Sequence, residues 1–251
     1  MSQFTQYPQR RLKFIGCEIV YREASRLAAA CPHQVDVQFL GKTLHDLPTE
    51  EMRRKLQEAI DAVGPEYEAI LLGYARCNDG TVGLTARNVP IVIPRAHDCI
   101  TFFFGGRHAY KDYFDAHPGT YFHTTGWLER GSSDRGGEAG VLAQLGLNQG
   151  YAELVAKYGK ENADFIAATM GDLTANYRSI CYLRMDACDE SDFVKFSQAM
   201  AAEKGWTFDG RQGDWSVLEK LFLGPWDDDF VVLQPGQTLA ARNDERVLEA
   251  E

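Results

Sequence analysis

Two short stretches, Ala69-Ile-Leu-Leu-Gly73 and Val89-Pro-Ile-Val-Ile-Pro94, carry no polar or charged side chain. They are too short for buried helices, are punctuated by glycine and proline, and lack the alternation of a strand with one wet face. Strands apolar on both sides must be covered on both sides. A parallel sheet between crossover helices meets that condition, because parallel neighbours cannot be joined by tight turns.

The rest of the chain supplies such a pattern. Arg11-Leu-Lys-Phe-Ile-Gly-Cys17 reads as a strand, and residues 18–30 place charges and apolar residues at helical spacing. Gln34-Val-Asp-Val-Gln-Phe-Leu40 alternates like a strand, and residues 48–63 form a helix with acids in its first turn, closed by Gly64-Pro65. Between 105 and 150 the periodicity fails at Gly105-Gly106, Pro118-Gly119 and the 131–140 tract, which reads as a surface loop. Helices are expected over 141–158 and 162–176. A second series then follows, with strands at 178–184, 206–209 and 230–233, helices at 190–204 and 214–222, and a frayed tail from Gln237. The expected fold is α/β: two Rossmann-like lobes with mainly parallel sheets and a cleft at the strand carboxyl ends. Residues 1–130 make the N-terminal lobe, 131–177 a loop and helical connection, and 178–251 the C-terminal lobe.

Charge narrows the partners. Asp and Glu number 36 against 26 Lys and Arg, a net charge of −10, so the chain repels phosphate polyanions at long range. Neither nucleic acid nor an anionic membrane is an expected partner. Six cysteines in 251 residues are too few for a disulfide scaffold. The polar start Met1-Ser-Gln-Phe-Thr-Gln has no apolar core of a signal peptide, and no apolar run approaches the ~20 residues of a membrane span. A cytoplasmic protein with reduced thiols is expected.

Three of those cysteines fall where a parallel sheet presents its ligand face: Cys17 after the first strand, Cys77 after the third and Cys99 after the fourth. Taken singly, each is a strand-end cysteine of the kind that often belongs to a core. Taken together, with Cys77 and Cys99 in segments dense with Gly, Asn, Asp, His and Arg, they read as one site. His97-Asp-Cys99 adds an imidazole, and thiolate plus imidazole suits zinc first, a softer metal ion, or an iron–sulfur cluster, where magnesium or calcium would want carboxylates and carbonyls. Cys31, Cys181 and Cys188 have no such company and read as structural.

The segment from Gly73 to Gly83 follows a buried strand. Its Arg76, Gly80 and Gly83 are candidates for holding an anionic cofactor on backbone N–H groups. It lacks the Walker lysine and the Gly-x-Gly-x-x-Gly of dinucleotide sites. Arg76, Arg95 and Arg107 are candidate clamps for a carboxylate or phosphate. His45-Asp46 and His97-Asp98 match the dipeptide of metal-dependent phosphohydrolases, whose all-helical fold this alternating pattern contradicts. His45 is a proton carrier or, more simply, a surface-loop histidine. Asp227-Asp-Asp229 reads as a solvated turn, and Trp206, Trp215 and Trp226 as packing residues. No Gly-x-Ser-x-Gly elbow or His-Glu-x-x-His helix occurs.

Cys17-Glu18, Leu71-Leu-Gly-Tyr-Ala-Arg-Cys77, Thr81-Val-Gly-Leu84, the run from Val89 through Pro94-Arg-Ala-His-Asp-Cys99, and Pro118-Gly-Thr-Tyr121 through Gly126-Trp127 together resemble the bacterial and archaeal family called domain of unknown function 1638. Lys157 to Ala163, Asn176-Tyr-Arg178 and Trp226 to Phe230 extend the resemblance over nearly the whole chain. Where a Gly-Asn-Gly-like run is expected after Cys77, this chain has the bulkier Asn78-Asp79-Gly80. Members of that family tend to accompany corrinoid proteins, methylamine- or betaine-type methyltransferases and folate enzymes. The resemblance therefore implies a metal-binding enzyme or accessory protein of corrinoid-linked one-carbon metabolism, with a corrinoid protein or methyltransferase as partner and a small-molecule ligand. On that reading Cys17, Cys77 and Cys99 are metal ligands, His97 is a fourth ligand or acid–base group, and Arg95 contacts an anion in catalysis. The open position could instead take a corrinoid. Two other readings share these residues: a non-catalytic carrier that hands a metal or corrinoid to a methyltransferase, and an assembly subunit with inert, buried cysteines.

Overall fold

A computed structural model describes residues 9–130 and 176–251, Asn78 apart, together with Val155, Gly159, Lys160 and Asn162 between them. The expected helices over 141–158 and 162–176 and the 131–140 loop fall outside these residues.

The two apolar stretches form the centre of a five-stranded sheet. Its strands are β1 (Arg11–Cys17), β2 (Gln34–Leu40), β3 (Ala69–Gly73), β4 (Ile91–Pro94) and β8 (Phe230–Leu233), in the order β2-β1-β3-β4-β8. The first four run parallel, and β8 lies antiparallel on β4. Every residue of β3 and β4 is buried. Helices α1 (Tyr21–Ala30) and α2 (Thr49–Asp61) connect the early strands, and α2 buries Met52, Leu56 and Ile60 at helical spacing.

A second sheet holds β5 (Thr120–Thr124), β6 (Ser179–Arg184) and β7 (Thr207–Gln212), all parallel, with β6 central. Between β4 and β6 lie the short helix α3 (Ile100–Phe103), then α4 (Arg107–Ala116) and α5 (Thr125–Arg130). Helix α6 (Ser191–Lys204) joins β6 to β7 and packs on both, and α7 (Ser216–Leu223) packs on α1 and β4. The protein is thus mixed α/β with mostly parallel sheets.

Strand pairing crosses both boundaries read from the sequence. Thr120–Thr124, from the first segment, joins the second sheet, and Phe230–Leu233, expected in the second series, closes the first. The tail is not frayed: β9 (Leu239–Ala241) and β10 (Leu248–Ala250) form a hairpin whose Leu239 exchanges backbone hydrogen bonds with Gly83 and Leu84. Among the described residues no helix is long and apolar enough to cross a membrane.

Two close approaches explain glycines in the pattern. Gly16 of β1 and Gly73 of β3 are paired across the ladder, and a Cβ on either would fall within 2.5 Å of the Phe14 ring. The two glycines seat that ring against Phe222 of α7, with centroids 5.1 Å apart. Gly126 opens α5 directly over the turn that follows β1, where a Cβ would stand 1.7 Å from the Ile19 carbonyl oxygen. The Arg22–Glu129 ion pair, 2.7 Å, ties α1 to α5 at the same junction.

Candidate functional site

Parallel register brings the carboxyl ends of β1, β3 and β4 side by side, and each is followed within a few residues by a buried cysteine. Cys17 ends β1 and leads into the 3-10 turn Glu18–Val20. Cys77 follows β3 in a left-handed conformation, φ 48°, with its N–H bonded to the His97 carbonyl. Cys99 opens α3, where Asp98 accepts hydrogen bonds from the Ile100 and Thr101 amides on one carboxylate oxygen and from the Tyr110 hydroxyl on the other. A non-glycine residue held in the left-handed region marks a backbone constrained by its surroundings.

The three thiols lie within electrostatic reach of one another. Burial pushes all three upward, Cys17 to about 12, so none is a thiolate at neutral pH without an added positive charge. The imidazole beside them is His45, from the 3-10 turn after β2: its Nε2 is 3.5 Å from the Cys17 Sγ. Burial, with help from the Lys42 ammonium, lowers His45 to about 4 and keeps the ring neutral. Behind the cysteines the Tyr74 hydroxyl is buried and has no hydrogen-bond partner among the described residues.

In front of them opens a cavity of about 680 Å³. His45, Arg76, Cys77, His97 and Cys99 line it, together with Tyr121 and Phe122 of β5, Trp127 of α5 and Tyr177. The Tyr121 and Tyr177 rings meet edge to face at 5.2 Å.

Other candidates are placed differently. His97 lines the cavity rim but is exposed, so it is His45 that stands against a thiol. Arg95, expected to contact an anion, instead donates through one nitrogen to the Arg246 and Leu248 carbonyls of the C-terminal hairpin. Arg76 lines the cavity but is held by Asp79 and the Arg242 carbonyl. The Gly80 N–H is spent on the Cys77 carbonyl and the Gly83 N–H on Leu239, and Gly83 faces Arg53 of α2, so these two amides cradle no anion. Arg107 is paired with Asp228 and Asp229, which removes it as a clamp and gives the acidic turn its partner. Among the described residues, no group of three His, Cys, Asp or Glu side chains stands as a ready metal-holding set.

Fold and site together define an α/β protein whose first sheet has buried cysteines at its strand carboxyl ends, Cys77 and Cys99 of them lining a cavity shared with Tyr121, Phe122, Trp127 and Tyr177. The model of the family described as "Protein of unknown function (DUF1638)" matches residues 39–222, and the chain belongs to that family. No curated protein and no solved structure matches the chain.

The aromatic wall is what the sequence reading missed, because β5 is hidden between Pro118-Gly119 and the following glycine. Its only signal was the strand-length run Thr120-Tyr-Phe-His-Thr124. His45, in sequence a proton carrier or a surface-loop histidine, is set beside Cys17 by the 3-10 turn that follows β2.

Proposed function

We propose that this chain binds a soft metal ion, zinc first among the candidates, on Cys17, Cys77 and Cys99 with His45 as the fourth donor, and works in corrinoid-linked one-carbon metabolism. The observation that supports the reading is the Cys17–His45 contact at 3.5 Å, on the edge of the sheet where β3 and β4, which precede Cys77 and Cys99, also end. In a tetrahedral site with sulfur at about 2.3 Å and nitrogen at about 2.1 Å from zinc, two such ligands are about 3.6 Å apart. The residue types are those a soft metal takes, three cysteine sulfurs and an imidazole, with the Glu18 and Asp98 carboxylates nearby.

A bound ion would supply the positive charge that keeps thiols deprotonated at neutral pH. His45, neutral from burial, offers its lone pair without first losing a proton. Tyr121, Phe122, Trp127 and Tyr177 offer apolar ring surface to a ligand in the cavity. His97, exposed among the cavity-lining residues, keeps the acid–base role given by the sequence. The two-lobed arrangement, with a cleft at the strand carboxyl ends, belongs to this reading. The link to corrinoid methyl transfer, and a corrinoid protein or methyltransferase as partner, rests on the company that the family keeps.

The test is elemental analysis with a visible spectrum on protein purified without oxygen. One metal per chain is expected, lost or strongly depleted in Cys17→Ala, Cys77→Ala, Cys99→Ala and His45→Ala, and retained in His97→Ala. The spectrum separates zinc from iron–sulfur and corrinoid. A wild type that takes up no metal on reconstitution overturns the proposal. Turnover of a methylated substrate with partner proteins separates an enzyme from a carrier, which would bind and release stoichiometrically.

A further inference from the structure

Among the described residues β7 pairs with β6 and with no other strand, which leaves one edge of the second sheet open. The Thr207 N–H bonds to the Arg178 carbonyl and the Gly213 N–H to the Arg184 carbonyl, so the odd-numbered residues of β7 turn their backbone groups toward β6. By the two-residue period of a strand, Phe208, Gly210 and Gln212 turn theirs away from the sheet. Among the described residues none of these three amides has a hydrogen-bond partner. The row stops at both ends, because the Trp206 N–H is taken by the Ala201 carbonyl and the Asp214 N–H by the Phe103 carbonyl. What remains is a short edge over residues 208–212, centred on Gly210.

Exposed edges are ordinarily protected by like charge, most often lysine, by proline or by a bulge. The charges of β7 are instead opposite in sign: Asp209 and Arg211 stand on either side of Gly210, on one face of the strand, with side chains 43% and 46% exposed. Both are steadied by Tyr113 of α4. Its hydroxyl donates to Asp209 at 2.9 Å, and the Arg211 guanidinium lies 4.8 Å from the centre of its ring. On the other face the half-buried Phe208 ring lies against Gly210, 3.2 Å from where a Cβ would stand.

We propose that β7 is the contact through which two copies of this chain pair, antiparallel about a two-fold axis through Gly210, joining their three-stranded sheets into one. In that register Phe208 faces Gln212 of the second copy and Gly210 faces its own counterpart, so each free amide of the row meets a carbonyl of the same row. Asp209 faces Arg211 of the second copy, and Arg211 faces its Asp209, in the closely spaced positions where opposite charges attract and like charges repel. A two-fold contact must be self-complementary, and an Asp-Gly-Arg edge meets that condition with its centre at the glycine. Each copy carries a net charge of −10, so attraction has to come from complementarity at close range. So short a pairing makes a small interface, and the result is a concentration-dependent equilibrium, not a permanent dimer.

The experiment measures mass by sedimentation equilibrium of the full chain across the micromolar range, for wild type, Asp209→Arg, Arg211→Asp and an equimolar mixture of the two variants, with circular dichroism to check that each is folded. Wild type is expected to approach twice its chain mass of 28.1 kDa as concentration rises. Each variant alone sets like charges across the axis and is expected to associate about tenfold or more weakly. The mixture restores both opposite-charge pairs between unlike copies and is expected to associate as wild type does. A wild type that stays monomeric throughout overturns the proposal and leaves the edge to solvent or to a foreign strand. Variants that associate as well as wild type, or a mixture that stays monomeric, overturn the contact between Asp209 and Arg211 and the register with it. Amide exchange in wild type needs no variant: the Phe208, Gly210 and Gln212 amides are expected to exchange more slowly as concentration rises. Exchange that does not change with concentration overturns the proposal even where a variant fails to fold.

Discussion

Glu23 lies in α1 with 1% of its surface exposed, and neither carboxylate oxygen has a hydrogen-bond partner among the described residues. Burial is the main cause that pushes it up from 4.5 to about 7; the residue's own backbone N–H and Arg22 oppose the rise, and the Glu190 and Glu129 carboxylates add to it. In the unfolded chain the same group titrates near its ordinary value. Between about pH 4.5 and 7 the folded protein therefore holds a proton that the unfolded chain has released, and stability falls as pH rises through that window. Below it the carboxyl is neutral in both states and costs nothing extra. Above it the charge is buried at a cost of about 3 kcal/mol, taking about 1.36 kcal/mol per pH unit. Glu23→Gln removes the charge and keeps the shape. Urea unfolding of the variant and wild type across pH 4 to 8.5 should show the variant gaining about 3 kcal/mol relative to wild type as pH rises, with most of the gain between 4.5 and 7. Any fixed cost of the buried amide cancels in that difference. A stability gap that does not change with pH refutes the claim that Glu23 is buried without compensation.

Gly126→Ala drives a Cβ into the Ile19 carbonyl, a backbone atom that cannot swing aside. It should cost about 3 kcal/mol or more, and a thermal midpoint equal to wild type would show that α5 does not lie so close to the turn after β1. In metal-free native protein at pH 7.5, a thiol reagent should label Cys31 and Cys188 quickly, because the other four cysteines are buried and their thiols are held protonated by burial. Rapid labelling of Cys77 or Cys99 would contradict the burial on which the site argument depends.

Much of the first sheet was legible in the chain. Ala69–Gly73 and the 89–94 run have one solution because a segment apolar on every side has no wet face to offer, and covering both faces demands a sheet between helices. The same logic set Cys17, Cys77 and Cys99 at strand ends, which in a parallel sheet means one edge. What chain order did not carry was which remote groups meet there. His45 became the neighbour of Cys17 because β2 pairs in parallel with β1 and delivers the following turn to the same edge. Arg95 and Arg107 looked like anion clamps, and tertiary contacts turned both inward, one to hairpin carbonyls and the other to Asp228 and Asp229. Gly80 and Gly83 looked like a cradle, and their amides were taken by Cys77 and the C-terminal hairpin. The aromatic wall needed β5 to pair with β6 across residues far apart in sequence, and the first sheet needed β8 to return antiparallel on β4. Local patterning decides what each segment must bury. Only long-range pairing decides against what, since hydrogen-bond partners and the burial of charged groups depend on neighbours that no local window contains.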